Sequence, residues 1–275
     1  MLIYTKEQTD NFKNEQFAYI IAEENDHVLT VTLNRPEKKN AMNPIMFSEI
    51  AFALNYAHFN NDIWMVVLQA NGDVFCAGAD LKSFAGIDEE GKTSTIPEPS
   101  APVAIGDQFN ELNKPCIAKV HAPVYAGGFL LICGCTHVIA SENATFSLPE
   151  VKRGIWPMQV MASLAPIMPA RKLLDLCMRA KTLSADEALN LGLVTQLVNA
   201  VELDQTVNDL VAELKTFSPS AIRLGLKAWN DYKTVSADEA HTFLLNRLGE
   251  ILGTEDAAEG LAAFREKRSP VWKGK

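Results

Sequence analysis

Three short segments have residue types that could cooperate in one kind of chemistry: Gly78-Ala79-Asp80, Ala126-Gly127-Gly128 and Pro149-Glu150. Each glycine-containing segment follows a strand-like apolar run and leads towards a helix-like run. Such junctions leave backbone N–H groups unpaired and pointing outward. Two of them converging on one point can hold a developing oxyanion without reorganising. Glycine lets a ligand approach the backbone closely because no Cβ intervenes, and Ala79 is nearly as small. Glu150 then supplies a single carboxylate for proton transfer. The combination suggests an enzyme that makes and quenches an enolate next to a carbonyl, such as that of a thioester. Singly, each segment has a plainer reading. Gly-Gly pairs are mostly turns or packing points, most glutamates are solvated, and Asp80 reads first as a helix cap.

The elements that must position these residues are legible as periodicities. Phe17–Glu24 and His27–Asn34 alternate apolar and polar residues about Asn25-Asp26, which predicts a β-hairpin. Asn43-Pro44 predicts an N-cap and an N1 proline for a helix over Ile45–Phe59. Trp64–Leu68 and Ile117–His121 read as strands, His137–Ala140 as another, and Val103–Leu112 as a helix. Gly86–Pro102 is rich in Gly, Ser, Thr, Pro and Glu and reads as a surface loop able to act as a lid. Strand and helix alternate through the first two-thirds, so an α/β core is expected. From Pro157 onward the pattern is helical apart from a short strand over Leu193–Val198. Capping boxes are expected at Ser184–Glu187 and Ser236–Glu239. Amphipathic helices are expected over Asp204–Phe217, Pro219–Tyr232 and Ser236–Leu252. The division expected is a core over residues 1–198 and a helical oligomerisation region over 199–275.

The 275-residue chain is long enough to bury a large core, and its formal charge of −9 argues against a nucleic-acid partner. Its longest apolar stretches are too short to span a bilayer, and the first residues carry no leader-like pattern, so a cytoplasmic protein without a membrane partner is expected. Five cysteines, an odd number, read as buried thiols. Cys133, Cys135 and His137 alternate but have no fourth ligand at the usual spacing, so no metal is expected. The glycine-rich signatures of nucleotide-binding loops and of dinucleotide-binding folds are absent, as is G-x-S-x-G.

Taken in order, a set of motifs resembles the crotonase superfamily, the enoyl-CoA hydratase/isomerase family. They are Leu33-Asn34-Arg35-Pro36 with Asn40-Ala41-Met42, Phe75–Leu81, Lys114-Pro115, Ala126-Gly127-Gly128, and Phe146 with Pro149-Glu150. Leu183-Ser184-Ala185, Gly192-Leu193-Val194 and Ala263–Arg268 complete the set, which runs from about Phe17 to the C-terminus. The resemblance implies an α/β spiral of ββα units with a C-terminal helical trimerisation region. It implies a homotrimer or dimer of trimers acting on an acyl-CoA, with no cofactor because coenzyme A is part of the substrate. Carried over, Ala79 and Gly127 would form the oxyanion hole and Glu150 would be catalytic. Ala77, Ala79, Asp80, Leu81 and Lys82 would line the CoA path, and Gly128, Leu130 and Trp156 would also bind the substrate or its CoA. Lys38 would border the adenine and pantetheine entrance, and Phe264 and Lys267 would approach CoA from a neighbouring subunit.

The chain departs from the two-glutamate hydratases at one place. Leu130 stands where they carry their first glutamate, and leucine can neither take nor give a proton. One remaining carboxylate suits a double-bond isomerase. A single-glutamate enoyl-CoA or methylglutaconyl-type hydratase, a decarboxylase, a thioesterase and a non-catalytic acyl-CoA-binding subunit stay open. Ile155–Gln159 replaces the glycine-rich turn expected after Glu150, which predicts an altered acyl pocket lined by Trp156, Met158 and Met161.

Overall fold

The computed structural model describes residues 1–84 and 92–275. The chain begins with a one-turn helix, α1 (Lys6–Thr9), and then the hairpin β1 (Ile20–Asn25) and β2 (Val28–Leu33). The hairpin is antiparallel and Asn25 pairs with Val28, so the two turn residues are Asp26 and His27, one later than expected. Both have positive φ, 44° and 69°, as a tight turn matched to the twist of the strands requires.

α2 (Pro44–Phe59) follows with Asn43 as its cap, the Asn43 side chain accepting from the Met46 N–H at 2.8 Å. The run Met46–Ala57 is buried on nearly every side apart from Phe47 and Ser48. β3 (Met65–Ala70), the short α3 (Leu81–Phe84), α4 (Ile105–Leu112), β4 (Cys116–Val120), β5 (Val124–Tyr125) and α5 (Gly128–Cys133) come next. β6 (His137–Ser141), β7 (Thr145–Ser147), α6 (Met158–Leu164), α7 (Ala170–Arg179), β8 (Thr182–Ser184), α8 (Ala185–Asn190) and β9 (Gln196–Val198) complete the α/β part.

Six strands form one sheet in the order β1-β2-β3-β4-β6-β9, parallel after the first hairpin. Val66, Leu68, Ala118 and Val138 face the main core with α2, α4 and α5. Val67, Ile117 and Ile139 face the other way, against Leu203 and Val207 of α9 (Leu203–Lys215). Burial on both faces explains why these strands read as continuous apolar runs. A second layer of short strands, β5-β7-β8, is extended by single bridges pairing Cys76 with Val124 and Met42 with Ala79. Each turn of the chain thus makes one long strand, one short strand and a helix.

β8 lies within the stretch expected to be helical. It is fixed by antiparallel pairing with β7, not by local pattern. The Ser184 capping box forms, with Ser184 Oγ accepting from Glu187 N at 3.1 Å. The one expected at Ser236 does not: the Ser236 hydroxyl donates to the Glu239 carboxylate instead, and α11 (Ala240–Leu252) starts beyond it. α10 (Pro219–Tyr232) precedes α11, and α12 (Glu255–Glu266) closes the chain. Of the expected Gly86–Pro102 loop, residues 86–91 lie outside the described residues. From Lys92 it is irregular and tied down, Thr95 N donating to Gln16 O and Ser100 N to Ile3 O, each at 3.0 Å. Among the described residues no helix is long and apolar enough to cross a membrane.

Candidate active site

The short second layer brings the three chemistry-bearing segments together. Ala79 is bridged to Met42 in parallel: Met42 N donates to Gly78 O at 2.7 Å, and Asp80 N donates to Met42 O at 2.8 Å. In such a bridge the flanking groups face the partner strand, so the N–H of Ala79 itself faces away from it. Gly127 follows β5, whose Tyr125 pairs with Ser147 of β7, and Ala126 N donates to Ser147 O at 3.1 Å. Three residues beyond Ser147 the chain reaches Glu150, at the start of a 3-10 turn.

The two glycine segments touch. A β-carbon at Gly127 would sit 3.3 Å from the Ala79 nitrogen. A β-carbon at Gly78 would sit 2.7 Å from Ala126 Cβ and 2.8 Å from Gly127 N, and Gly78 has φ +92°. Position 78 therefore needs glycine for conformation and for space. Neither the Ala79 nor the Gly127 N–H donates a hydrogen bond among the described residues.

Ala79, Gly127, Leu130 and Glu150 all line one cavity of about 590 Å³, within the range of about 300–1,000 Å³ usual for small-molecule sites. Phe47, Val103, Trp156, Met158 and Val160 make much of the rest of its wall apolar, with Ser48 and Gln159 as further polar side chains. Glu150 Oε2 is buried and has no hydrogen-bond partner among the described residues. Burial pushes the Glu150 carboxyl above the usual carboxylate range. Its own backbone N–H and the Arg153 charge oppose this more weakly. A carboxyl so placed is a base with raised affinity for protons. Leu130, 5% exposed, faces the same space from α5.

The other expected site residues are distributed as follows. Gly128 is buried away from the cavity, where a β-carbon would press on Cys76 and Val124 at 3.0–3.1 Å. Met161 packs on the main core and is not part of the cavity wall, which corrects its expected place; Trp156 does both. Ala77 N donates to Lys39 O at 3.0 Å, which sets the exposed turn carrying Lys38 beside the Ala77–Ala79 segment. Leu81 and Lys82 are exposed just beyond Asp80. Asp80 caps that turn, its Oδ1 accepting from Lys82 N at 3.1 Å. Burial raises the Asp80 carboxyl's pKa, but bonds from Arg35 and from backbone N–H groups outweigh it and leave the pKa below the ordinary value. Phe264 and Lys267 are exposed at the C-terminal end of α12 and do not line the cavity.

Two relations near the site carry no signal in the sequence, the closeness of Cys177 to Glu150 and the burial of Arg35 against Asp80. Cys177 of α7 is fully buried, and its thiol is pushed up first by burial and then by the Glu150 charge. Arg35 stands in the polar stretch Asn34–Asn40, yet it is 2% exposed and bonded to Asp80. The burial of an arginine flanked by Asn34 and Pro36 has no local signal.

A family model described as enoyl-CoA hydratase/isomerase matches residues 23–275. A mevalonyl-coenzyme A hydratase of Aspergillus fumigatus is 31% identical over 250 residues, covering 90% of this chain and 92% of the relative. A carnitinyl-CoA dehydratase of Salmonella enteritidis is 31% identical over 261 residues, covering 91% and 97%. Among solved structures, an enoyl-CoA hydratase from Mycobacterium tuberculosis H37Rv matches with a TM-score of 0.82 at 27% identity, over 94% of this chain and 100% of that one. A probable enoyl-CoA hydratase/isomerase from Mycobacterium abscessus matches at 0.81 and 30%, with the same coverage.

Proposed function

The chain belongs to the enoyl-CoA hydratase/isomerase family, and on that premise we propose that it moves a double bond in an acyl-CoA thioester, with Glu150 as the one proton-transfer residue. The thioester oxygen sits between the N–H groups of Ala79 and Gly127. Glu150 takes a proton from C2 of a 3-enoyl-CoA, and the electron pair passes onto the thioester oxygen. The same carboxyl returns the proton to C4, the double bond now lies between C2 and C3, and no atom is gained or lost. The observation that carries this reading is the cavity itself. Glu150, with one carboxylate oxygen unpartnered among the described residues, lines the same cavity as two N–H groups that donate no hydrogen bond there, and Leu130 stands where the resemblance puts the first glutamate of a two-glutamate hydratase. No cofactor is needed. Exposed Lys38 and Lys82 receive the phosphates of CoA, which an acidic protein must meet with local positive charge.

A second reading, addition or loss of water by Glu150 with a polar neighbour such as Gln159, is favoured by the names of the two relatives. Mass analysis of 2-enoyl-, 3-enoyl- and methylglutaconyl-type CoA esters in D₂O separates the two. A shifted bond without added water is the expected result. Added water would establish the second reading; loss of CO₂ or free CoA would contradict both, and bound but unchanged esters would leave an acyl-CoA-binding subunit. In the same assay Leu130→Glu is expected to introduce or raise hydration of a short 2-enoyl-CoA. The new carboxyl enters an apolar setting that raises its pKa and costs stability. No gain in a folded variant over a range of chain lengths would mean that Leu130 does not limit hydration.

We also propose that α10–α12 assemble the chain into a homotrimer or dimer of trimers, with Phe264 and Lys267 reaching the CoA of a neighbour. Leu245, Leu248 and Leu252 lie on one face of α11 and are all exposed, and Leu261 and Phe264 of α12 are exposed by 61% and 83%. Apolar faces of this kind mark interfaces. Light scattering is expected to give three or six chain masses. A well-folded monomer at micromolar concentration would rule the assembly out.

A further inference from the structure

We propose that Arg35 is a positioning residue for the polarising N–H of Ala79, acting through Asp80 and the Ala41 carbonyl. This rests on the reading of Ala79 and Gly127 as the oxyanion-binding pair. Arg35 Nη1 donates to Ala41 O at 2.6 Å and to Asp80 Oδ2 at 2.8 Å. Ala41 immediately precedes Met42 and Asp80 immediately follows Ala79, and Met42 and Ala79 are the two residues of the bridge. One guanidinium thus ties together the two strands whose pairing aims the Ala79 N–H at the cavity. It is itself held in place. The Arg35 N–H donates to Asn40 Oδ1 at 2.8 Å, Asn40 Nδ2 donates to Asn71 O and Val74 O, and the Tyr19 ring lies 5.2 Å from the guanidinium.

Stability alone does not account for this arrangement. A buried ion pair recovers little beyond its desolvation cost, and apolar residues of similar volume often serve as well. What the pair does add is a fixed geometry at one bridge. There an error of about 1 Å in a reacting contact is worth about a hundredfold in rate. Asp80 is held from both sides, accepting from Arg35 through Oδ2 and from the Lys82 N–H through Oδ1. Its neighbour Ala79 therefore has little freedom to turn.

The probe is acetoacetyl-CoA, whose enolate absorbs in the near ultraviolet. On binding, the C2–H bond breaks, the proton goes to Glu150 or solvent, and the electron pair rests on the thioester oxygen facing Ala79 and Gly127. The wild-type protein is expected to bind it with strong enolate absorbance. Arg35→Met is expected to lose most of that absorbance and about a hundredfold in kcat, with KM for the CoA ester essentially unchanged. Arg35→Lys, which keeps the charge and one contact, is expected to recover part of both. Should Arg35→Met not fold, Asp80→Asn removes the same ion pair with little change of shape and is expected to lose the same enolate absorbance and kcat; KM is read only in the Arg35 variants, because Asp80 is itself expected on the CoA path.

Folded variants that keep the wild-type enolate signal and kcat would overturn the role of Arg35 while leaving the oxyanion pair standing. A loss confined to KM or to melting temperature would make Arg35 structural and overturn it equally. A wild-type protein that binds the probe without enolate absorbance would remove the oxyanion reading, and this inference with it.

Discussion

Replacing Glu150 by glutamine is expected to slow turnover by about two to four orders of magnitude, the usual scale for a general acid–base residue. Glutamine keeps the shape of the side chain but cannot accept a proton. Leu130 lines the same cavity and offers no substitute, so the loss is not rescued from that position. CoA-ester binding should change little, because the contacts proposed for the nucleotide and the thioester lie elsewhere. The pH profile gives a second signature. Burial raises the Glu150 carboxyl above its ordinary value, and in the proposed reaction the ionised form is the base. Activity should therefore fall as the pH drops through that raised pKa, and the acidic limb should vanish from any residual activity of the variant.

The linkage to stability runs the other way. A carboxyl whose native pKa lies above its unfolded one costs stability once the pH passes the unfolded value, and the cost is complete above the native value. Glutamine never ionises. At neutral pH the variant is therefore expected to melt no lower than wild type, so that lost turnover is not lost folding. Near-normal turnover with an unchanged acidic limb would remove Glu150 from its role.

Gly127→Pro is the second large effect expected, a loss of at least about two to three orders of magnitude, the scale for removing one oxyanion donor. Proline has no N–H to give. Gly127 has φ −56°, close to the angle proline fixes, so the backbone at that residue tolerates the ring. Ala126 before it has φ 49°, which a following proline disfavours. Circular dichroism must therefore show a folded variant before its rate is interpreted. Gly127→Ala is the control: it keeps the N–H, and its β-carbon would meet Ala79 N at a tight but not forbidden 3.3 Å. Full turnover in folded Gly127→Pro would mean that the thioester oxygen is held elsewhere.

Much of the arrangement is legible in the sequence because it sits where patterns change. Ala79, Gly127 and Glu150 each follow a short apolar run, and strand ends are where unpaired backbone groups collect. The α2 cap and the Ser184 capping box are local hydrogen bonds, and their residue types announce them. What is not legible depends on partners distant in sequence. β8 is three residues long and exists through its pairing with β7. The Ser236 hydroxyl finds the Glu239 carboxylate before it finds a helix N–H, so a correct motif yields no box. Met161 turns to the core on the same short helix whose first residue, Met158, faces the cavity. Arg35 is buried because Asp80, 45 residues away, needs a partner.

In the proposed reaction Glu150 removes a proton beside a thioester whose oxygen the two N–H groups hold. The most direct measurement is exchange at C2 of a saturated acyl-CoA such as butyryl-CoA in D₂O, followed by mass for the wild type and Glu150→Gln. Enzyme-dependent deuterium uptake at C2 is expected for the wild type, and none above background for the folded variant. Uptake at equal rates by both proteins, or no uptake by a wild type that binds the ester, would contradict it.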